Sequence, residues 1–143
     1  MQPRRSARAP VSWDFSRVED LNNFVAVPNG THPCVVHEMK RTAARDGSDR
    51  WWIRWVVTNE SPWAGRTAAW DSLTWNERGM RRVKWVLGRL GFDVAGCIEL
   101  APNDLLGRKA RVTVFAEEFI NRATGARTMR SRVPFAGYEK IEE

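Results

Sequence analysis

Residues 50–59, Arg50-Trp51-Trp52-Ile53-Arg54-Trp55-Val56-Val57-Thr58-Asn59, alternate in a way only a β-strand uses. Side chains along a strand point to opposite faces in turn, so Trp51, Ile53, Trp55 and Val57 share one side and Trp52, Arg54, Val56 and Thr58 the other. The first set is wholly apolar and belongs to a core. The second leaves Trp52 and Arg54 together on an outer sheet surface. Seven of the eight tryptophans, Trp51, Trp52, Trp55, Trp63, Trp70, Trp75 and Trp85, crowd into this part of the chain, a denser cluster than a core of this size needs.

On the N-terminal side, THPCVVHEMKRTA (31–43) reads as a first strand. The connection RTAARDGSDR (41–50) carries Arg41, Arg45 and Arg50 around an Asp46-Gly47 turn. On the C-terminal side, a turn at 59–65 leads to a third strand, GRTAAWDSLTW (65–75). NERGMRRVKWVLGRL (76–90) then sets Met80, Val83, Val86, Leu87 and Leu90 at helical spacing, with Gly91 as its stop. Arg78, Arg81, Arg82, Lys84 and Arg89 fill the rest of that helix and read as a solvated face. GRKARVTVFAEE (107–118) is a fourth strand, with Ala110, Val112, Val114 and Ala116 inward and Arg111, Thr113, Phe115 and Glu117 outward. A second long connection, FINRATGART (119–128), turns at Gly125. The closing MRSRVPFAGYEK (129–140) places Met129, Ser131, Val133 and Phe135 on one face and Arg130 and Arg132 on the other. Pro134 lacks an N–H, so part of that strand is unpaired or at an edge.

Three strands, a helix and two strands predict a mainly β protein, a five-stranded OB-fold barrel with one α-helix between strands 3 and 4. Residues 11–143 form a single domain behind a flexible basic arm, 1–10. Within 11–30, Trp13, Phe15, Val18, Leu21 and Phe24 predict a lead-in segment packed on the body, with a helical turn near 16–22.

In an OB-fold, the face of strands 2 and 3 and the connections between strands 1–2 and 4–5 make the binding surface, and both arginine-rich connections fall there. Rings supply stacking platforms and cations neutralise phosphates, the combination that holds unpaired nucleic acid. Trp52, Trp70 and Phe115 are the stacking candidates. Trp70 fits the core equally well, because its segment has no clean alternation, and the N-terminal segment is an equal candidate to cover Phe115. Arg41, Arg45, Arg50, Arg54 and Arg111, with Arg122, Arg127, Arg130 and Arg132 from the far connection, are the phosphate candidates. A net charge of +6 and an isoelectric point near 10.1 favour a polyanionic partner.

Other chemistry is poorly represented. His32 and Cys34 share a strand face that His37 does not, so a zinc set is not expected. No phosphate-binding glycine motif occurs, and the pairs Glu117-Glu118 and Glu142-Glu143 alternate sides or lie at the terminus. The reading is therefore of a non-enzyme without cofactor or metal. Two cysteines make no disulfide framework and no apolar run reaches membrane-spanning length, so the expected compartment is the cytoplasm.

The pieces VPNGTHPCVVHEM (27–39), WWIRWVVTNESPWAGRTAAWDSLTW (51–75), VLGRLGF (86–92), DLLGRKARVTV (104–114) and RSRVPFAGYEKI (130–141) resemble a phage and prophage family of unknown function encoded among recombination and replication genes. The resemblance spans about residues 11–141. It implies an OB-fold protein that coats or handles single-stranded DNA in a bacterial host's cytoplasm, beside a recombinase or nuclease. The closing EKIEE is too short for the acidic tail with which many single-strand binders recruit partners. A different class of reading is a protein-interaction module whose aromatic face docks a recombinase, a nuclease or another copy of the chain.

Overall fold

A computed structural model describes residues 10–16, 26–58 and 61–141. The basic arm up to residue 9, residues 17–22 of the expected helical turn, and Val18, Leu21 and Phe24 lie outside them.

The chain is mainly β: β1 Gly30–Ala43, β2 Asp49–Val57, β3 Thr67–Trp75, α1 Met80–Arg89, a 3-10 turn Pro102–Leu105, β4 Lys109–Ile120, β5 Arg127–Arg132 and β6 Tyr138–Lys140. All pairings are antiparallel, in the order β3-β2-β1-β4-β5, with β6 also on β4. β1 occupies one edge of β4 over Lys109–Val114. The other edge holds β6 opposite Ala110–Val112 and β5 opposite Phe115–Ile120. The expected last strand is thus two short strands end to end, parted at 133–137. Pro134 supplies no N–H there, and its carbonyl accepts the Gly137 N–H at 3.0 Å. The sheet is open, since β3 and β5 approach within 8 Å but are not paired.

The parity of β2 holds: Trp51, Ile53, Trp55 and Val57 are buried. Val56 is buried as well, because the β2–β3 register slips between Trp55 and Val56 and breaks the alternation. Ala110, Val112 and Val114 of β4 meet Val83, Val86, Leu87 and Leu90 of the helix in the same core. Met80 is exposed at the helix start. The helix begins at Met80 and not at residue 76, because 76–79 form a turn in which the Asn76 side-chain oxygen accepts the Gly79 N–H at 2.8 Å. A Cβ on Gly79 would stand 2.1 Å from the Thr74 carbonyl oxygen, so the turn requires glycine. The β1–β2 connection is shorter than expected, a turn over 44–48 with Gly47 at φ +84°.

The expected packing of Trp13 and Phe15 on the body is not observed. Val11, Trp13 and Phe15 are about 70% exposed. There the Asp14 carboxylate accepts the Ser16 N–H. Of the face that carries Met129, Ser131, Val133 and Phe135, Val133 is buried and Met129 and Phe135 are exposed. Among the described residues β4 pairs beyond Val114 only with β5, and such a two-stranded ribbon has left the layer that would bury one of its faces.

No helix among the described residues is long and apolar enough to cross a membrane. His32 is buried with Nε2 2.8 Å from the Pro28 carbonyl oxygen. Cys34 is buried in the core, and burial pushes its thiol up to about 12.

Candidate nucleic-acid interface

The strand registers define the outer face of β1–β2–β3 row by row: Glu38, Arg54 and Trp70; then Lys40, Trp52 and Ser72; then Thr42, Arg50 and Thr74. Trp52 and Trp70 are therefore diagonal neighbours on adjacent strands, both half-buried. This sheet face is the floor of a groove of about 1510 Å³. The β4–β5 ribbon forms its wall with Phe115, Phe119, Met129 and Arg130, and Phe135 follows β5.

Each ring on the floor carries a cation. The Arg50 guanidinium lies 4.4 Å from the Trp52 ring centre, and the Lys40 ammonium 4.8 Å from that of Trp70. The Trp52 indole N–H donates to the Thr42 hydroxyl at 3.1 Å, which fixes the ring plane. On the wall, Arg130 stacks on Phe119 at 4.5 Å; at the rim, Arg66 stacks on Trp63 at 5.2 Å.

The charges in the groove are unbalanced. Arg50, Arg54, Arg66, Arg82, Arg130 and Arg132 line it against Asp71, Glu117 and Glu118. Each carboxylate already has a partner: Asp71 has Arg82 at 2.6 Å, Glu117 has Arg132 at 2.8 Å, and Glu118 has Arg127 at 3.4 Å. Arg54 donates from Nε to the Thr67 hydroxyl at 2.9 Å, and Arg50 from Nη2 to the Ser72 hydroxyl at 3.2 Å. Among the described residues no carboxylate pairs with Arg50, Arg54, Arg66 or Arg130, and Arg50 Nε is buried without a hydrogen-bond partner.

The structure brings together Trp52, Arg54, Trp70, Arg50, Phe115, Arg130 and Arg132 of the residues singled out from sequence. It does not bring the others there. Arg41 is held by Asp49 through two hydrogen bonds, 2.9 and 2.6 Å, which hold that carboxyl below its usual range. Arg45 sits in the turn between β1 and β2, and Arg122 in the turn between β4 and β5, both exposed. Arg127 pairs with Glu118. Arg111 shares strand parity with Phe115 but lies four residues, about 13 Å, earlier on a twisting strand, and it lines a separate hollow with Trp85 and Arg89.

Sequence reasoning passed over Arg66, Arg82, Phe119 and Phe135. Phe119 was detectable: it continues the period-two series Phe115, Glu117 once the strand is carried to Ile120. Arg82 is no solvated helix residue; it donates from Nη1 to the Ser72 carbonyl at 2.8 Å and pairs with Asp71. Burial works against its charge, and Asp71 with Tyr138 more than restores it.

Neither a protein-family model nor a curated protein matches the sequence.

Proposed function

We propose that this chain is a sequence-tolerant single-stranded DNA-binding protein acting in the replication or recombination of a phage or mobile element. The observation that carries the reading is the convergence, in one groove, of Trp52, Trp70 and Phe115 with Arg50, Arg54 and Arg130, arginines that no carboxylate pairs among the described residues. A base stacked on an aromatic ring contributes about 1–3 kcal/mol, against about 0.5–1 kcal/mol for an exposed cation on the same ring. A base can therefore displace the exposed Lys40 from Trp70, and the released cation is then free for a phosphate.

The fold reading that goes with this is an OB-fold. The strand order β3-β2-β1-β4-β5 with α1 between β3 and β4 supports it, β5 and β6 together taking the place of the fifth strand. In that architecture the β2–β3 face and the ribbon after β4 bind the ligand, and these are the floor and wall of the groove.

The test is a titration of tryptophan fluorescence with oligo-dT at two salt concentrations. Quenching is expected, with affinity falling as salt rises by a log–log slope near −0.7 per phosphate contacted. Unchanged fluorescence and no retardation of single-stranded oligonucleotide in a gel would sink the reading. The protein-docking alternative draws on one observation, the exposed Phe119, Met129 and Phe135 along the wall. It predicts no oligonucleotide binding at any salt.

A further inference from the structure

The helix face that leaves the groove leads to a second cationic hollow. Arg82, Trp85 and Arg89, spaced i, i+3 and i+7, share one face of α1. Arg82 lines the groove, its guanidinium 5.9 Å from the centre of the Tyr138 ring. Trp85 stands on the same tyrosine with ring centres 6.2 Å apart, and Arg89 stacks on Trp85 at 4.6 Å. Trp85 and Arg89 border a hollow of about 720 Å³ completed by Arg111, Tyr138, Glu139 and Lys140. The way from groove to hollow is thus a continuous line of side chains, about 10 Å along the helix from Arg82 to Arg89.

Three cations face one carboxylate in this hollow. Arg89, Arg111 and Lys140 are exposed, and among the described residues none of them forms an ion pair, Glu139 included.

We infer that the hollow around Arg89, Arg111 and Lys140 binds the backbone phosphates of the same single strand after it leaves the groove at Arg82. The inference rests on the nucleic-acid reading of the groove. It lengthens the binding site without adding a base-reading element, so it acts through charge: removing the three cations lowers the salt slope by about 2 and costs roughly fivefold per lost contact at 0.1 M salt.

The experiment measures affinity for an oligo-dT series of about 4 to about 16 nucleotides, the range of site sizes for one such fold. It compares the wild type, the triple variant Arg89→Ala, Arg111→Ala, Lys140→Ala, and the charge-keeping double variant Arg89→Lys, Arg111→Lys. The triple variant is expected to match the wild type on the shortest oligonucleotides and fall behind on longer ones, while the lysine variant keeps the wild-type salt slope. A triple variant that tracks the wild type at every length, or loses the same factor at every length, overturns the second site and leaves the groove standing. A wild type that binds no oligonucleotide overturns both.

Discussion

The Tyr138 hydroxyl donates a hydrogen bond to Oδ2 of Asp71, joining β6 to β3, strands that share no backbone hydrogen bond. Arg82 reaches the same carboxylate from the helix at 2.6 Å, and the Trp55 indole N–H donates to the Tyr138 oxygen at 3.1 Å. Where the sheet stays open, side chains from four elements take over the work of backbone pairing. Asp71 and Arg82 also line the groove, so the same network sets the shape of its floor.

Tyr138→Phe removes the hydroxyl and nothing else. It leaves the Trp55 N–H without an acceptor and Asp71 with one donor fewer, and a buried polar group left unpaired costs about 1–3 kcal/mol. Urea denaturation of the two proteins should show a midpoint shift of that size with the slope unchanged.

The alkaline limb of stability should also depend on this residue. Burial, with the Asp71 charge beside it, pushes the Tyr138 hydroxyl well above its ordinary value of 10.0. The folded protein therefore holds a proton that the unfolded chain gives up near pH 10. Stability from this group is complete below that pH and falls as pH rises beyond it, by up to about 1.4 kcal/mol per pH unit. Tyr138 is the sole tyrosine, so tyrosinate absorbance reports it alone. Ionisation should coincide with unfolding, and Tyr138→Phe should lose less stability between pH 10 and 11 than the wild type.

Gly79→Ala tests the turn before α1. The new Cβ would meet the Thr74 carbonyl oxygen, which is backbone of β3 and has no rotamer to change. Gly79 is the N-cap of α1, where alanine offers no advantage over glycine, and overpacking of this kind costs roughly 1–3 kcal/mol, so the change is a net loss. A raised melting temperature in Gly79→Ala would show that the turn yields.

What could be read from the chain, and what could not, follows from how local each signal is. The β2 alternation is decided by neighbours one and two residues apart, and it separated Trp51 from Trp52 correctly. The helix stripe was equally local apart from Met80. The outward side of β4 was legible at Arg111 and Phe115, but alternation presumes a layer that buries the other face, and only the register shows that β4 has run past β1 at Phe115, where Met129 and Phe135 stay exposed. Arg111 was assigned to the groove for the same reason, since parity says which face but not how far the twist has carried it. Trp70 was undecidable until its pairing with Arg54 placed it on the outer face.

That separation makes a paired prediction. Trp51 packs in the core against Trp75, ring centres 4.7 Å apart, so Trp51→Ala should cost about 3–5 kcal/mol. Trp52→Ala loses a cation contact and the bond to Thr42, about 1–2 kcal/mol together. The folded Trp52 variant should then bind oligo-dT roughly fivefold or more weakly, the value of one stacked base. Equal stability losses in the two variants would refute the parity, and unchanged affinity in Trp52→Ala would remove this ring from the site.

Two arginines of like strand context should behave differently toward salt. Arg54 faces the groove with, among the described residues, only a hydroxyl as hydrogen-bond partner, while Arg41 is clamped by both oxygens of Asp49. A guanidinium already paired has little charge to offer a phosphate, and freeing it means giving up two charge-assisted bonds. Arg54→Ala should therefore reduce the log–log salt slope of oligonucleotide binding by about 0.7, and Arg41→Ala should leave it unchanged. Asp49→Asn sharpens the comparison: it releases Arg41 without touching the groove, and a slope that then steepens would mean that the strand passes within reach of the β1–β2 turn. Should Arg41→Ala lower the slope as much as Arg54→Ala, the polyanion runs along the hairpin and not between the sheet and the ribbon.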